Sequence, residues 1–234
     1  MSSEIGVIQQ VRRFRLSMKT IFQCDFDGTI TPEDVSFQIL DAFGSRDWRK
    51  LLEQYREGKI SVAQFNTGAF TTVKADEPTL VRFVKDKAKL RPGFSDLLAY
   101  CRRKGFRFVI VSNGLDFYIR TILNDAGAGD IEVFAATTSF APSRVEARYL
   151  GPRGELLKDR FKEAYLRSFR ENGYRVVYAG NGFSDIAPAR EAYHVFATGE
   201  LLAACKGMNL TCTPFDGLDD IVRGLESLPV SDCT

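Results

Sequence analysis

Residues 22–31 read Phe22-Gln23-Cys24-Asp25-Phe26-Asp27-Gly28-Thr29-Ile30-Thr31. The apolar run that leads into them, from Thr20 to Cys24, has the length and character of a short buried strand. Asp25 and Asp27 follow two residues apart. Successive strand side chains alternate faces, but here the strand ends and Gly28 lets the chain bend. Both carboxylates can then point over the strand's carboxyl end, where open α/β sheets bind ligands. Two carboxylates that close repel each other unless a cation sits between them or one keeps a proton. Packing asks for no such pair. The competing reading, a solvated acidic turn, depends on what the rest of the chain brings to the same place.

Two more stretches have the same build. Arg107-Phe108-Val109-Ile110-Val111 is a continuous β-branched and aromatic run of the parallel-sheet kind. It ends in Ser112-Asn113-Gly114, with a periodic helix starting at once. A hydroxyl, an amide and free N–H groups at a helix N-terminus suit an anion, although Ser112 would also serve as a plain N-cap. Arg175–Ala179 is a third buried strand, running into Gly180-Asn181-Gly182-Phe183-Ser184-Asp185. In a doubly wound sheet such strand ends converge on one crevice. The polar set is rich in oxygen, led by carboxylates and free of histidine, which suits Mg²⁺ rather than zinc.

Between the first two strands the periodicity is helical throughout. Helices are expected over 34–43, 46–57, 61–73 (opened by the capping box Ser61-Val62-Ala63-Gln64) and from Pro78 through Val84. Residues 33–88 therefore read as a helical cap inserted into an α/β core made of 18–32 and 89–234. Further on, strands at 131–135, 145–150 and 155–157 predict a hairpin around Gly151-Pro152-Arg153-Gly154. A helix is expected from Lys158 to Asn172, then a strand at 193–197 containing His194, read as structural. A short helix, a last strand and a terminal helix over 217–227 complete the alternation. Residues 1–17, with Arg12, Arg13 and Arg15 ahead of Met18, read as an N-terminal extension, a targeting peptide being the weighed alternative.

The chain has 234 residues, 44% hydrophobic and 26% charged, with a net charge of +2, the profile of an ordinary globular protein with no call on nucleic acid. No apolar run approaches the ~20 residues that a membrane span needs. Five cysteines, odd in number and without a C-x-x-C pair, with a single histidine, argue against a zinc site and for reduced thiols in a cytoplasmic protein.

Taken in order, Asp25-Phe26-Asp27-Gly28-Thr29, Val111-Ser112-Asn113-Gly114, Lys158 and Gly180-Asn181-Gly182-Phe183-Ser184-Asp185 resemble the four motifs of the haloacid dehalogenase superfamily. The helical insertion resembles the cap of its phosphoserine phosphatase-like branch. Within that branch, Cys24–Thr31, Val195-Phe196-Ala197 and Thr213-Pro214-Phe215 look like the methylthio-diketopentane phosphate phosphatases of methionine salvage. Ser184–Ala189 is similar to the phosphoethanolamine/phosphocholine phosphatases.

The resemblance implies a Mg²⁺-dependent phosphatase for a small phosphate monoester, 2-hydroxy-3-keto-5-methylthiopentenyl-1-phosphate among the candidates. Phosphoserine and phosphocholine/phosphoethanolamine are the alternatives. It implies Asp25 as nucleophile, Asp27 as acid/base, and Ser112 and Asn113 as phosphate ligands. Lys158 would be the neutralising lysine, with Lys162 one helical turn on as its rival, and Asp34 would contact the substrate. Metal ligation would fall to Asp25, Asp27, Asn181 and Asp185. One position departs from the pattern. Asn181 stands where the family carries an acid, so it brings an oxygen without a charge, and a weakly active or non-catalytic binding protein is the reading this departure raises. No membrane or nucleic-acid partner is expected, and assembly into a homo-oligomer is left open.

Overall fold

The computed structural model describes residues 19–141 and 144–228, so the extension at 1–17 and Cys233 lie outside it. Its centre is the strand β1 (Thr20–Cys24), every residue of which is buried. The remaining strands are β2 (Arg107–Leu115), β3 (Glu132–Ala141), β4 (Arg144–Arg148), β5 (Arg175–Gly180), β6 (His194–Ala197) and β7 (Thr213–Pro214). They form one sheet in the order β4-β3-β2-β1-β5-β6-β7. Only the β3–β4 pairing is antiparallel. Strand order thus runs one way from β1 to β2 and β3 and the other way from β5 onward. The crevice beyond the carboxyl ends of β1 and β5 is the switch point of a doubly wound α/β sheet.

Between β1 and β2 lie five helices. The first four are α1 (Val35–Phe43), α2 (Trp48–Arg56), α3 (Val62–Phe70) and α4 (Glu77–Lys87), with no strand among them. Their starts follow the local chemistry. Asp34 and Asp76 accept from the backbone of α1 and α4, and Ser61 with Gln64 closes the capping box of α3. Phe37, Trp48, Phe65 and Tyr55 form an aromatic chain through this segment, with ring centroids 5.2–6.4 Å apart, and supply its core. The fifth helix, α5 (Phe94–Arg103), leads into β2. The rest are α6 (Asp116–Asp125), α7 (Phe161–Glu171), the one-turn α8 (Ile186–Ala189), α9 (Gly199–Gly207) and α10 (Leu218–Ser227). Helix α7 lies across β2 and β5, and α10 packs on α5.

Three expectations need correction. The hairpin joins β3 to β4, and the Gly151–Gly154 turn carries a single antiparallel bridge between Leu150 and Leu156. Strand β3 continues through Thr137-Thr138-Ser139 and is only partly covered, so it lacked the apolar run by which its length is recognised. Strand β2 runs on through Ser112–Gly114 to Leu115, with a register shift after Val111, and α6 starts only at Asp116. Helix α7 begins at Phe161, because Arg160 takes a left-handed conformation (φ 57°) that interrupts any helix from Lys158. No helix of the described residues is long and apolar enough to cross a membrane.

Candidate active site

Asp25 follows β1 directly and stays tied to the sheet, its N–H donating to Ala179 O at 2.9 Å. The chain then folds around the Phe26 carbonyl, which accepts from the N–H groups of Thr29, Ile30 and Thr31 at 2.8–3.1 Å. Gly28 makes this turn with φ 74°, and a Cβ there would sit 2.1 Å from the Asn181 side chain. Only glycine allows both that conformation and that approach. Arg91 clamps the outside of the turn, donating to Thr29 O (2.9 Å), Gly28 O (2.8 Å) and Asp216 O (2.7 Å). Asp27 is fixed from two elements. Its Oδ1 accepts from Val35 N at 2.9 Å, and its Oδ2 accepts from the Tyr118 hydroxyl at 2.5 Å.

The lysine of the site is Lys162. Its ammonium lies 2.9 Å from Asp25 Oδ2 and 2.6 Å from Asp185 Oδ1, with all three side chains buried. The later start of α7 produces this arrangement by putting Lys162 in the first turn. There its backbone oxygen accepts from Gln23 Nε2 of β1 at 3.1 Å. Lys158 lies ahead of the helix with an exposed side chain, and only its backbone oxygen is used, accepting from Ser61 Oγ at 2.6 Å. The choice of Lys158 is therefore corrected to Lys162. Burial pulls the Lys162 ammonium down, but the charges of Asp185 and Asp25 outweigh it and hold its pKa above the ordinary lysine value. Burial lifts Asp25 to about 7 against the pull of Lys162, with Asp185 adding to the rise. Asp27 is raised well above the usual range, first by burial and then by the Asp34 charge.

Asp185 is corrected as well. Its Oδ1 accepts from Lys162 and, at 2.5 Å, from the Tyr178 hydroxyl, while its Oδ2 accepts from the N–H groups of Asn181 (3.0 Å) and Gly182 (2.8 Å). Four donors occupy the about four lone-pair sites of the carboxylate, leaving none for a cation. Asp185 orders Lys162 and the loop after β5.

Asn181 does face the aspartates. The inward end of its amide lies 2.8 Å from Asp27 O, 3.3 Å from Asp25 Oδ2 and 3.0 Å from Thr29 Oγ1. An amide can present either oxygen or nitrogen there. With nitrogen inward its two N–H groups can donate to two of these three neighbours at a time and close the site without a metal. With oxygen inward, three oxygens face one another at separations of 2.8 and 3.3 Å. Adjacent ligands of an octahedral ion with ~2.1 Å bonds are about 3.0 Å apart, so this donor set fits a small, hard divalent cation. No group of three His, Cys, Asp or Glu side chains converges among the described residues. The cluster consists of one carboxylate, one backbone carbonyl and one amide.

Ser112 and Asn113 face the same cavity of about 310 Å³, as do Asp25, Asp27, Asp34, Lys162 and Asn181. Ser112 Oγ accepts from Gly114 N at 3.0 Å. The buried Asn113 Oδ1 has no protein partner. Asp34 lines the cavity, while its Oδ1 accepts from Phe37 N (3.0 Å) and Ser36 Oγ (2.6 Å). Over the strand ends, the four-helix segment contributes Phe37, Leu52, Tyr55 and Phe65, and Tyr55 meets the exposed Phe183 ring edge-on at 6.2 Å. Asn66 of α3 donates to Asn113 O (2.7 Å) and to the Tyr149 hydroxyl (2.9 Å), tying the segment to β2.

Sequence reasoning passed over Arg91, Asn66, Tyr118 and Tyr178. Arg91, Asn66 and Tyr118 are brought to the site by contacts between distant parts of the chain, and Tyr178 reaches Asp185 across the loop that follows its own strand. For Lys162 a signal existed, since it shares a helical face with the inward-facing Leu166 and Phe169.

The comparisons agree with this geometry. The chain is 27% identical over 217 residues to the 2-hydroxy-3-keto-5-methylthiopentenyl-1-phosphate phosphatase of Brevibacillus brevis, covering 91% of this chain and 98% of the relative. To the Geobacillus thermodenitrificans protein of the same name it is 29% identical, over 92% of this chain and 99% of the relative. Among solved structures, a phospho-aspartyl intermediate analogue of phosphoserine phosphatase superposes with a TM-score of 0.67 at 17% identity, covering 88% of this chain and 98% of that one. A likeness at that identity shows the fold. The family model for haloacid dehalogenase-like hydrolases matches residues 22–190, from the first buried strand through the Asn181–Asp185 loop, and the chain belongs to that family.

Proposed function

We infer that the chain is a phosphatase that hydrolyses a small phosphate monoester through an aspartyl-phosphate, with residues 33–88 serving as a cap over the site. One observation carries the reading. A buried lysine lies against the first aspartate of a D-x-D-G-T turn, and the second aspartate is held by two donors in the same cavity. In the first step Asp25 attacks phosphorus as the ester P–O bond breaks, and Asp27 gives its proton to the leaving oxygen. In the second step Asp27 takes a proton from water, which attacks the aspartyl-phosphate and regenerates the Asp25 carboxylate. The raised pKa of Asp27 suits the group that must begin as an acid. Lys162 neutralises Asp25 and, with Ser112 and Asn113, receives phosphate oxygens. A buried lysine kept protonated by Asp185 performs this without competing as a nucleophile.

Mg²⁺ is the cofactor that fits the oxygen set of Asp25 Oδ2, Asp27 O and Asn181, and when bound it would hold Asp25 ionised and offset phosphate charge. The cavity wall of Phe37, Leu52, Tyr55 and Phe65 offers an apolar seat for the rest of the ester. Together with the names of the relatives, this favours 2-hydroxy-3-keto-5-methylthiopentenyl-1-phosphate. The opposite charges of Arg56 and Glu200 on the same cavity favour phosphoserine as the second reading. The test is a phosphate-release screen with Mg²⁺ over these two esters, phosphocholine, phosphoethanolamine and 4-nitrophenyl phosphate. Release by the wild type and none by Asp25→Asn is expected. No release from any ester by a folded, ligand-binding wild type would leave a binding protein as the remaining reading.

A further inference from the structure

We propose that Tyr118 is the positioning residue for the acid/base Asp27, and that Gly114 is there to admit its hydroxyl. The proposal rests on the phosphatase reading of Asp27. Tyr118 is fully buried on α6, 91 residues from Asp27 in sequence, yet its hydroxyl donates to Asp27 Oδ2 at 2.5 Å. Its ring cannot drift, because Phe26 packs on it at 6.4 Å and Phe117 meets it edge-on at 5.5 Å. Ser36 Oγ, whose own proton goes to Asp34 Oδ1 at 2.6 Å, is the other acceptor within reach, but at 3.5 Å it is the weaker one, and the short bond to the Asp27 carboxylate takes the tyrosine proton.

A Cβ at position 114 would stand 1.9 Å from the Tyr118 oxygen and 2.6 Å from Asp27 Oδ2, so any other residue at Gly114 would displace this bond. The glycine after Ser112 and Asn113 thus has a steric reason that neither a turn nor phosphate binding supplies.

Asp27 has one donor on each oxygen, Val35 N on Oδ1 and Tyr118 on Oδ2. Two donors from different elements fix the carboxyl plane while leaving lone-pair sites for the proton that moves. The tyrosine keeps its own proton throughout. When Asp27 passes its proton to the leaving oxygen as the P–O bond breaks and Asp25 bonds to phosphorus, the Tyr118 O–H bonds to the carboxylate that remains. A hydrogen bond to the charged form is stronger than one to the neutral form, so it favours that transfer.

The test uses leaving groups. An alkyl phosphate needs its departing oxygen protonated, whereas 4-nitrophenolate leaves without help. The ratio of kcat/KM for the two esters, measured with Mg²⁺, reads the step up to loss of the leaving group. For Tyr118→Phe the alkyl ester should lose about 10- to 100-fold in kcat/KM, within the range general acid catalysis supplies, and 4-nitrophenyl phosphate less than about threefold. A partly folded variant lowers both values alike and leaves the ratio untouched. Gly114→Ala, which displaces the hydroxyl without removing it, should change the ratio in the same direction. Equal losses for both esters, or none for either, would overturn the positioning role while the phosphatase reading stands. A wild type that releases phosphate from neither ester would overturn both.

Discussion

At the scale of the residue, the site turns on which lysine faces the nucleophile. Lys162 is enclosed between two carboxylates, and Lys158 is exposed. The two positions should therefore respond very differently. Lys162→Met leaves Asp25 and Asp185 buried without their cation, and removing one partner of a buried pair costs about 3–5 kcal/mol. It also removes a charge from the phosphate site, where losing one donor costs about 100- to 1,000-fold in kcat. Lys158→Ala should stay within about threefold in kcat and about 0.5 kcal/mol in stability. Thermal melting and phosphate release on the two variants check this, and a large loss at Lys158 would reinstate it. The sequence supported either lysine, because both stand on the same side of a helix assumed to start at Lys158. What decided between them was the left-handed Arg160, and no pattern of apolar residues announces a non-glycine residue with positive φ.

At the scale of the element, β1, β2 and β5 were legible because parallel strands buried on both faces are written as unbroken apolar runs. Asp25, Ser112 and Asn181 were legible for the same reason, as the polar residues that end those runs. Strand β3 was not, because half-covered threonines and serine carry it past Ala136. Tyr118 and Asn66 were invisible as site residues because each looks like any other member of an amphipathic helix until the helix is docked.

His194 was read as structural, and its place in β6 gives that reading a measurable content. It is the only histidine in the chain. Its Nε2 lies 2.9 Å from Thr213 Oγ1 of β7, and its ring meets Phe196 edge-on at 4.8 Å. Burial lowers its pKa from the ordinary 6.5. A depressed pKa means that the fold favours neutral imidazole, so this contribution to stability is complete above pH 6.5 and is lost as pH falls through the lower, folded value. The single imidazole resonance should therefore titrate below 6.5. As pH falls below 6.5 toward the folded value, the melting temperature of the wild type should fall more steeply than that of His194→Gln, since only the former has this proton to take up. An imidazole titrating at or above its ordinary value would contradict the argument.

At the scale of the whole molecule, the cation site joins the two halves of the sheet. Asp25 and Asp27 follow β1, and Asn181 follows β5 across the switch point. Whatever binds there couples to global stability, because a ligand that binds only the folded state adds RT ln(1 + [L]/Kd). The amide of Asn181 makes the metal-free form of this joint self-sufficient, since its two N–H groups can bond two of Asp27 O, Asp25 Oδ2 and Thr29 Oγ1. Asn181→Asp takes that option away. In chelator, the variant faces Asp25 with a second carboxylate and no donor between them, so it should melt below the wild type. Mg²⁺ should raise the melting temperature of the variant by more than that of the wild type, because the added charge should tighten binding by about tenfold, or roughly 1.4 kcal/mol. At Mg²⁺ well above either Kd that gain appears in full, and for a chain of this size it corresponds to about 3–6 °C. The Mg²⁺ concentration for half-maximal phosphate release should fall in parallel. Melting curves in chelator and in millimolar Mg²⁺, with calorimetric titration of the metal, separate the two terms. If Mg²⁺ raised the melting temperature of both proteins equally, Asn181 would not be a ligand, and the three-oxygen cluster would owe its form to the amide hydrogen bonds alone.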